Sequence, residues 1–424
     1  MLGDILFGIF GLAVLLALAA GLSMNRSAIS WRLVLGGIGL QLAFAILVIL
    51  VPGGREFFNL LSGVFVKIIG FAAVGARFIF GDLADAEQFG FVFAFQVLPT
   101  IIFFAALMSV LYQVGLMQKI VQGIAWLMQK VLNVSGSESL AVAANVFVGQ
   151  TEAPLVVRPY IARMTESELL TMMIGGMATI AGAVLAGYIA LLGGPDPEAQ
   201  LFYARHLLAA SVMAAPATIV IAKILRPETE ESLTHGTVKL HVEKNAVNVI
   251  EAAANGASDG VRLALNVGGM LLAFLALVAF IDWPLNWLGQ VTGLEGMLGQ
   301  PLSLSTIMGY LFAPLAWVIG VPWQDVTVIG ALLGEKVILN EFVAYSNLNE
   351  VKEALAPQSV LIATYALCGF ANFSSIAIQL GGIGGLAPER RSDIARLGLR
   401  AVFGGTIATM MTATIAGVLT QLAG

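Results

Sequence analysis

The sequence predicts an all-α polytopic membrane protein with eight transmembrane helices and two re-entrant hairpins of opposite orientation, arranged as an inverted repeat. Three observations carry this prediction. Of the 424 residues, 58% are hydrophobic and only 11% are charged, where an average globular domain has about a quarter charged. The apolar runs come in lengths near the roughly 20 residues that a spanning helix needs. Two polar knots, Asn145-Val-Phe-Val-Gly-Gln-Thr-Glu-Ala-Pro154 and Gly334-Glu-Lys-Val-Ile-Leu-Asn-Glu-Phe-Val-Ala-Tyr345, interrupt apolar surroundings. The arms of the first knot, residues 139–148 and 153–157, are too short to cross, so the stretch reads as re-entrant. At that depth an unwound backbone and a carboxylate survive only against a cavity or protein partners.

Taken in order, residues 5–22 and 33–51 each suit one spanning helix, joined by a loop carrying Arg26 and Arg32. The first run follows Asp4 and no early Lys or Arg, so it reads as a membrane helix and not as a cleavable signal. Residues 55–80 interleave Phe57, Leu60, Val64, Ile68 and Phe71 with Lys67 and Arg77, a pattern that suits a helix lying in the interface. Residues 91–116 form a third span containing Gln96 and Pro99, and 117–132, with Lys119, Gln122, Gln129 and Lys130, read as a second amphipathic helix. Ser135-Gly-Ser-Glu138 and Thr165-Glu-Ser-Glu168 have capping-box spacing. The first opens an arm of the hairpin and the second opens a long apolar segment to Leu192. Gly175, Gly176, Gly182 and Gly187 surround Thr179 there, so this helix can break midway; the same glycines would equally serve close helix packing.

Residues 193–198 form an acidic turn and 206–225 the next span. The stretch 227–260, with Glu228, Glu230, Glu231, Lys239, Glu243, Lys244 and Glu251, reads as a solvated loop with room for one helix. Residues 261–281 span again and end near Trp283 and Trp287, which suit an interfacial belt. Residues 304–321, interrupted by Gly309 and Pro314, read as the first arm of the second hairpin. Beyond the second knot, 357–380 is interrupted at Gly369-Phe-Ala-Asn-Phe-Ser-Ser375, and a basic turn at 389–396 leads to the last span, 401–422. The run Gly381-Gly-Ile-Gly-Gly385 follows no strand, so it reads as a helix end and not as a nucleotide fingerprint.

The two knots share a layout. Thirty-two residues separate Glu152 from Val184, and thirty-one separate Glu341 from Asn372. Each half reads hairpin, broken helix, helix, which is the pattern of a secondary transporter that binds its solute between two repeats. With the N-terminus outside, fifteen of the twenty-one Lys and Arg fall in the cytosol, among them Arg26, Arg32, Arg158, Arg163, Lys223, Arg226 and Arg390. The hairpins then enter from opposite sides and both termini lie outside the cytosol. The division this suggests is a mainly scaffold segment at 1–132, a first transport repeat at 133–226, a cytosolic loop and scaffold span at 227–300, and a second transport repeat at 301–424.

Other classes find little support. The lone Cys368 excludes an intrachain disulfide, and His206, His235 and His241 lack ligand spacing. A net charge of −5 implies no nucleic-acid partner. No nucleophile motif, metal set or phosphate loop appears, so no catalytic residue is assigned and an intramembrane enzyme is disfavoured. The knots themselves are rich in hydrogen-bonding groups. Gln150 offers a donor and an acceptor in one plane, suited to a nucleobase edge, and Thr151 adds a hydroxyl. Glu341 can accept from both hydroxyls of a diol, Asn372 and Ser375 can complete that set, and Phe370 offers an apolar face. No arginine lies in either knot, so a neutral polar solute fits best.

Gly149-Gln-Thr-Glu-Ala-Pro154, Gly334-x-Lys-x-x-x-Asn-Glu-Phe-Val-Ala-Tyr345 and Cys368-Gly-Phe-Ala-Asn-Phe-Ser-Ser375 resemble, in that order, the signature segments of the concentrative nucleoside transporters in their eight-span bacterial form. The resemblance covers nearly the whole chain. It implies a homotrimer in the lipid bilayer of the bacterial inner membrane, importing a uridine-like nucleoside as a transport domain moves like an elevator past a scaffold. It implies Gln150, Thr151, Glu152 and Val184 around the base, and Glu341, Phe370, Asn372 and Ser375 around the ribose. Sodium, the coupling ion, would sit at Asn145 and Thr179 with backbone oxygens of Val148 and Ile180; no other cofactor is implied. A proton carried by Glu152 or Glu341 is the alternative to sodium. Glu335 occupies a variable position of its motif and reads as an ion-pair or packing residue near Lys336.

Overall fold

The computed structural model describes residues 2–235 and 246–423, so Lys239, His241, Glu243 and Lys244 lie outside the described residues. All regular elements described are helical. Helices α1 (Leu2–Gly21), α2 (Trp31–Ile49) and α3 (Pro52–Phe80) precede the single turn α4 (Ala86–Phe89), then α5 (Phe93–Gln113) and α6 (Leu116–Leu132). The first hairpin is α7 (Gly136–Asn145), a turn, a tighter helical stretch Ala153–Val157 and α8 (Arg158–Ile161). Helices α9 (Glu166–Ala178) and α10 (Gly182–Gly193) are the halves of one broken helix, and α11 (Pro197–Leu225) follows. A long α12 (Val249–Thr292) and the short α13 (Leu294–Leu298) lead to α14 (Leu304–Val318). The second hairpin, α15 (Val326–Ile338) and α16 (Glu341–Val351), precedes a second broken helix, α17 (Pro357–Ala366) and α18 (Phe373–Leu386), and α19 (Arg391–Ala423).

Both capping boxes form. Ser135 and Glu138 close the start of α7, and Thr165 and Glu168 close the start of α9. Two sequence expectations need correction. Residues 304–321 are not a hairpin arm: Gly320, at φ +99°, and Pro322 end α14, which packs alongside α15 while the hairpin itself runs from α15 to α16. In the second repeat α14 therefore takes the place of α6 in the first. The span expected to begin at 261 begins earlier, inside the stretch read as a loop with room for one helix: α12 starts at Val249, where Asn248 accepts from the Glu251 N–H at 2.9 Å. Its Ala252, Gly256, Gly260 and Ala264 recur every four residues, all buried, and let α12 lie against α5 as a small-residue stripe. Among the described residues α3 is long and apolar enough to cross a membrane, and α17 and α18, with 10 and 14 residues, flank a break as α9 and α10 do, in keeping with the interruption expected at 369–375. In α3, Phe58, Ser62, Ile69, Ala72 and Ala76 are buried, while Phe57, Leu60, Val74 and Phe78 are exposed. Its outer face is thus apolar, which belongs against lipid or protein and not in water.

Burial divides the long helices into two groups. In the most apolar stretch of α9–α10, 94% of residues are buried, and 89% in those of α11 and the final helix, against 11% to 33% in α1, α2, α3, α5 and α12. Each hairpin is fastened at its base to the start of the broken helix that follows it. In the first, Lys223 Nζ lies 2.8 Å from Glu138 Oε2 and 2.9 Å from Ser167 Oγ, and Ser137 Oγ donates to Glu168 Oε1 at 3.2 Å. In the second, Asp325 Oδ2 accepts from the Ala356 N–H at 3.0 Å and from the Ser359 hydroxyl.

A Cβ on Gly256 would lie 2.6 Å from Ser109 Cβ and 2.7 Å from the Ala105 carbonyl oxygen. Gly256→Leu is therefore expected to push α12 off α5 and cost about 1 to 3 kcal/mol. A thermal unfolding scan of the purified protein should show a lower midpoint, and an unchanged midpoint would show that the stripe is not tightly packed.

Candidate solute-binding site

Both hairpin tips and both helix breaks line one cavity of about 490 Å³, a size within the roughly 300–1,000 Å³ usual for small-molecule sites. Its polar wall is made of helix N-termini. The first turns of α10, α16 and α18 all line it, so their positive dipole ends face one space. The caps belong to the same wall. Asn340 Oδ1 accepts from the Val343 N–H at 2.9 Å, and Asn372 Oδ1 accepts from the Ser375 N–H at 2.9 Å and from the Ser374 hydroxyl at 2.7 Å.

The structure brings Gln150, Thr151, Glu152, Val184, Glu341, Phe370, Asn372 and Ser375 to this one cavity. Glu341, first residue of α16, is buried, and both its oxygens are engaged. Oε1 accepts from Tyr188 OH at 2.9 Å and Oε2 from Asn372 Nδ2 at 3.0 Å. Across the cavity Gln150 Nε2 donates to Ser375 Oγ at 3.0 Å, and Thr151 Oγ1 donates to Glu152 Oε1 at 2.9 Å. Val184, in the first turn of α10, and Phe370, in the second break, supply apolar surface.

The four residues named for sodium gather behind the first hairpin tip. Asn145 ends α7, Val148 lies in the following turn, and Thr179 and Ile180 lie in the first break. The Gly182 N–H donates to the Phe147 carbonyl at 2.9 Å, tying turn to break. Thr179 Oγ1 donates to the Gly175 carbonyl at 2.8 Å, and a Cβ on Gly175 would lie 3.2 Å from Asn145 Nδ2. Asn145 is 1% exposed, and neither Oδ1 nor Nδ2 has a hydrogen-bond partner among the described residues. A buried amide left unpaired costs about 1 to 3 kcal/mol, so its oxygen is suited to a hard cation that would take it as a ligand.

Glu335 and Lys336 do not meet as a pair. Glu335 accepts from Asn347 Nδ2 at 2.9 Å, whereas Lys336 Nζ donates to the Ala366 carbonyl at 2.7 Å and to Thr409 Oγ1 at 2.9 Å. Adjacent helical positions point to different faces, which explains the divergence. Sequence reasoning missed two residues just behind the wall, Tyr188 and Gln379. A signal existed for each: Tyr188 follows Val184 by four residues and Gln379 follows Ser375 by four, the spacing that shares a helix face. It also missed Tyr112, Asn255 and Asp259, which α5 and α12 contribute to the cavity lining.

The family described as "Na+ dependent nucleoside transporter N-terminus" matches residues 10–83, "Nucleoside recognition" matches 94–195, and "Na+ dependent nucleoside transporter C-terminus" matches 206–417. An uncharacterized transporter of Haemophilus influenzae is 46% identical, with 99% of each chain covered. Sodium/nucleoside cotransporter 1 of Rattus norvegicus is 42% identical over 96% of this chain and 63% of its own length. Among solved structures, CNTnw in an inward-facing substrate-bound state is similar with a TM-score of 0.88 and 46% identity, covering 99% of this chain and 98% of the other.

Tyr188→Phe removes the hydroxyl that donates to the buried Glu341. A hydrogen bond to a charged group contributes about 1.5 to 3 kcal/mol, so the ligand-free variant should unfold several degrees below the parent. An identical midpoint would mean that this hydroxyl does not hold the carboxylate.

Proposed function

Because the chain belongs to the Na+-dependent nucleoside transporter family, and is a membrane transporter and not an enzyme, we propose that it is a sodium-coupled symporter importing nucleosides across the bacterial inner membrane. The observation that carries this is the meeting of two hairpin tips and two helix breaks at one polar cavity. Gln150, Thr151, Glu152 and Val184 hold the base. Glu341, Phe370, Asn372 and Ser375 hold the ribose, with Glu341 exchanging its present donors for the hydroxyls of the diol. Sodium binds Asn145 and Thr179 with the carbonyls of Val148 and Ile180; the orphaned amide of Asn145 supports that placement. Because Asn145 leads directly into the turn carrying Gln150, ion binding orders the base-binding tip.

Movement follows from the same layout. The deeply buried helices α9, α10, α11 and α19 carry the solute with the hairpins, and the sparsely buried α1, α2, α3, α5 and α12 form the scaffold they move against, in an elevator-like step. The contrast in burial supports this division. Exposed apolar side chains on α12, such as Leu265, Leu272 and Phe280, support a homotrimer embedded in lipid. Both termini lie outside the cytosol in this reading.

Radiolabelled uridine uptake by proteoliposomes is expected to need an inward sodium gradient. Asn145→Leu should raise the sodium concentration for half-maximal uptake, and a parent protein that follows pH while ignoring sodium would point to protons instead. Glu341→Gln keeps the shape but replaces charged acceptors, worth about 1.5 to 3 kcal/mol each, by neutral ones worth about 1. Its uridine affinity should fall at least about tenfold; unaltered affinity in a folded variant would leave Glu341 a structural residue only.

A further inference from the structure

Gln379 lies in α18, is fully buried, and is not on the cavity wall. Its Nε2 donates to the Met173 carbonyl at 2.9 Å and to Gln150 Oε1 at 3.1 Å. A backbone carbonyl can only accept, so Met173 fixes which way the Gln379 amide faces. The consequence passes along the chain of bonds. With Gln379 donating, Gln150 must present its oxygen backwards, and its nitrogen faces Ser375 Oγ at 3.0 Å. Gln150 therefore meets the cavity as a donor, and Ser375, which accepts that bond, keeps its own proton to give. Gln379 Oε1 has no hydrogen-bond partner among the described residues, so the side chain is held by its donors alone. Gly176 makes the room: a Cβ there would lie 2.7 Å from Gln150 Cβ and 3.1 Å from Gln379 Nε2.

Two residues on, Glu152 lines the same cavity with a carboxylate, an acceptor, whose Oε1 already takes the Thr151 hydroxyl at 2.9 Å. A donor next to an acceptor matches a base edge on which a keto oxygen adjoins a ring N–H, as in uracil and hypoxanthine. The reverse order, an exocyclic amine beside a bare ring nitrogen, occurs in cytosine and adenine. We propose that Gln379 is a specificity-determining positioning residue. By holding the Gln150 amide nitrogen toward the solute, it makes the site prefer keto nucleosides over amino nucleosides. The inference rests on the nucleoside reading of the site.

The test is calorimetric binding of uridine, cytidine, inosine and adenosine to the purified protein in saturating sodium. The unaltered protein should bind uridine more tightly than cytidine and inosine more tightly than adenosine, each by about five- to 150-fold, the range expected for one unmade hydrogen bond. Gln379→Met removes both donors at similar length, frees the Gln150 amide to turn, and should shrink the uridine-to-cytidine ratio at least about fivefold. Equal weakening of both nucleosides, or an unchanged ratio, would overturn the proposal. Gly176→Ala crowds the same two amides and is read by the same ratio if Gln379→Met does not accumulate. An unaltered protein that binds cytidine as tightly as uridine overturns it without any variant. No binding of any nucleoside would instead overturn the functional reading, a result distinct from equal binding of all four.

Discussion

A helix unwound at membrane depth strands backbone N–H and C=O groups that lipid cannot bond, each at a cost of several kcal/mol. This chain unwinds twice, at 179–181 and 367–372, and much else in the structure answers that debt. The first break is met by the hairpin turn through the Phe147 carbonyl. At the second, Lys336 takes up the Ala366 carbonyl and Asn372 caps the resumed helix. A hairpin has to be set against each break, and the cavity is the space between them that backbone packing leaves unfilled.

The bonds that shape this space cross between the repeats. Tyr188 of the first repeat holds Glu341 of the second, and Gln379 of the second holds Gln150 of the first. Each half thus orients a polar side chain that it does not itself carry. Neither repeat can build the site alone, because the donor and the acceptor of these two bonds lie on opposite halves. Aromatic packing backs the first of these contacts, with the Tyr188 ring 4.6 Å from Phe342 and 4.5 Å from Tyr345.

Much of this was legible because membrane segments write their length and polarity into local sequence. The cap Ser135 of the hairpin, the cap Thr165 of the broken helix, the break after Gly176, and the polar knots all stand out against apolar neighbours. What escaped was non-local or ambiguous. Tyr188 lies 153 residues from Glu341, and Gln379 lies 229 residues from Gln150, so spacing could mark a shared face but not a partner. The start of α12 was misread because Gly256 and Gly260 among charged residues look like loop; their role is set by α5, more than 140 residues away in the chain. The end of α14 was misread for a related reason. An apolar run interrupted by Pro314 does not show whether the chain turns there or at Gly320.

The base fastenings of the two hairpins have a mechanical meaning. Each hairpin is gripped where its first arm begins, by Lys223 and Glu168 in one case and by Asp325 in the other, and touches the cavity at the far end. Each is a cantilever. An arm such as α7, with 10 residues, is roughly 15 Å long, so a tilt of about 10° at the root would move its tip by roughly 2.6 Å. A tip can swing clear of a solute by that amount while its buried ionic root stays intact.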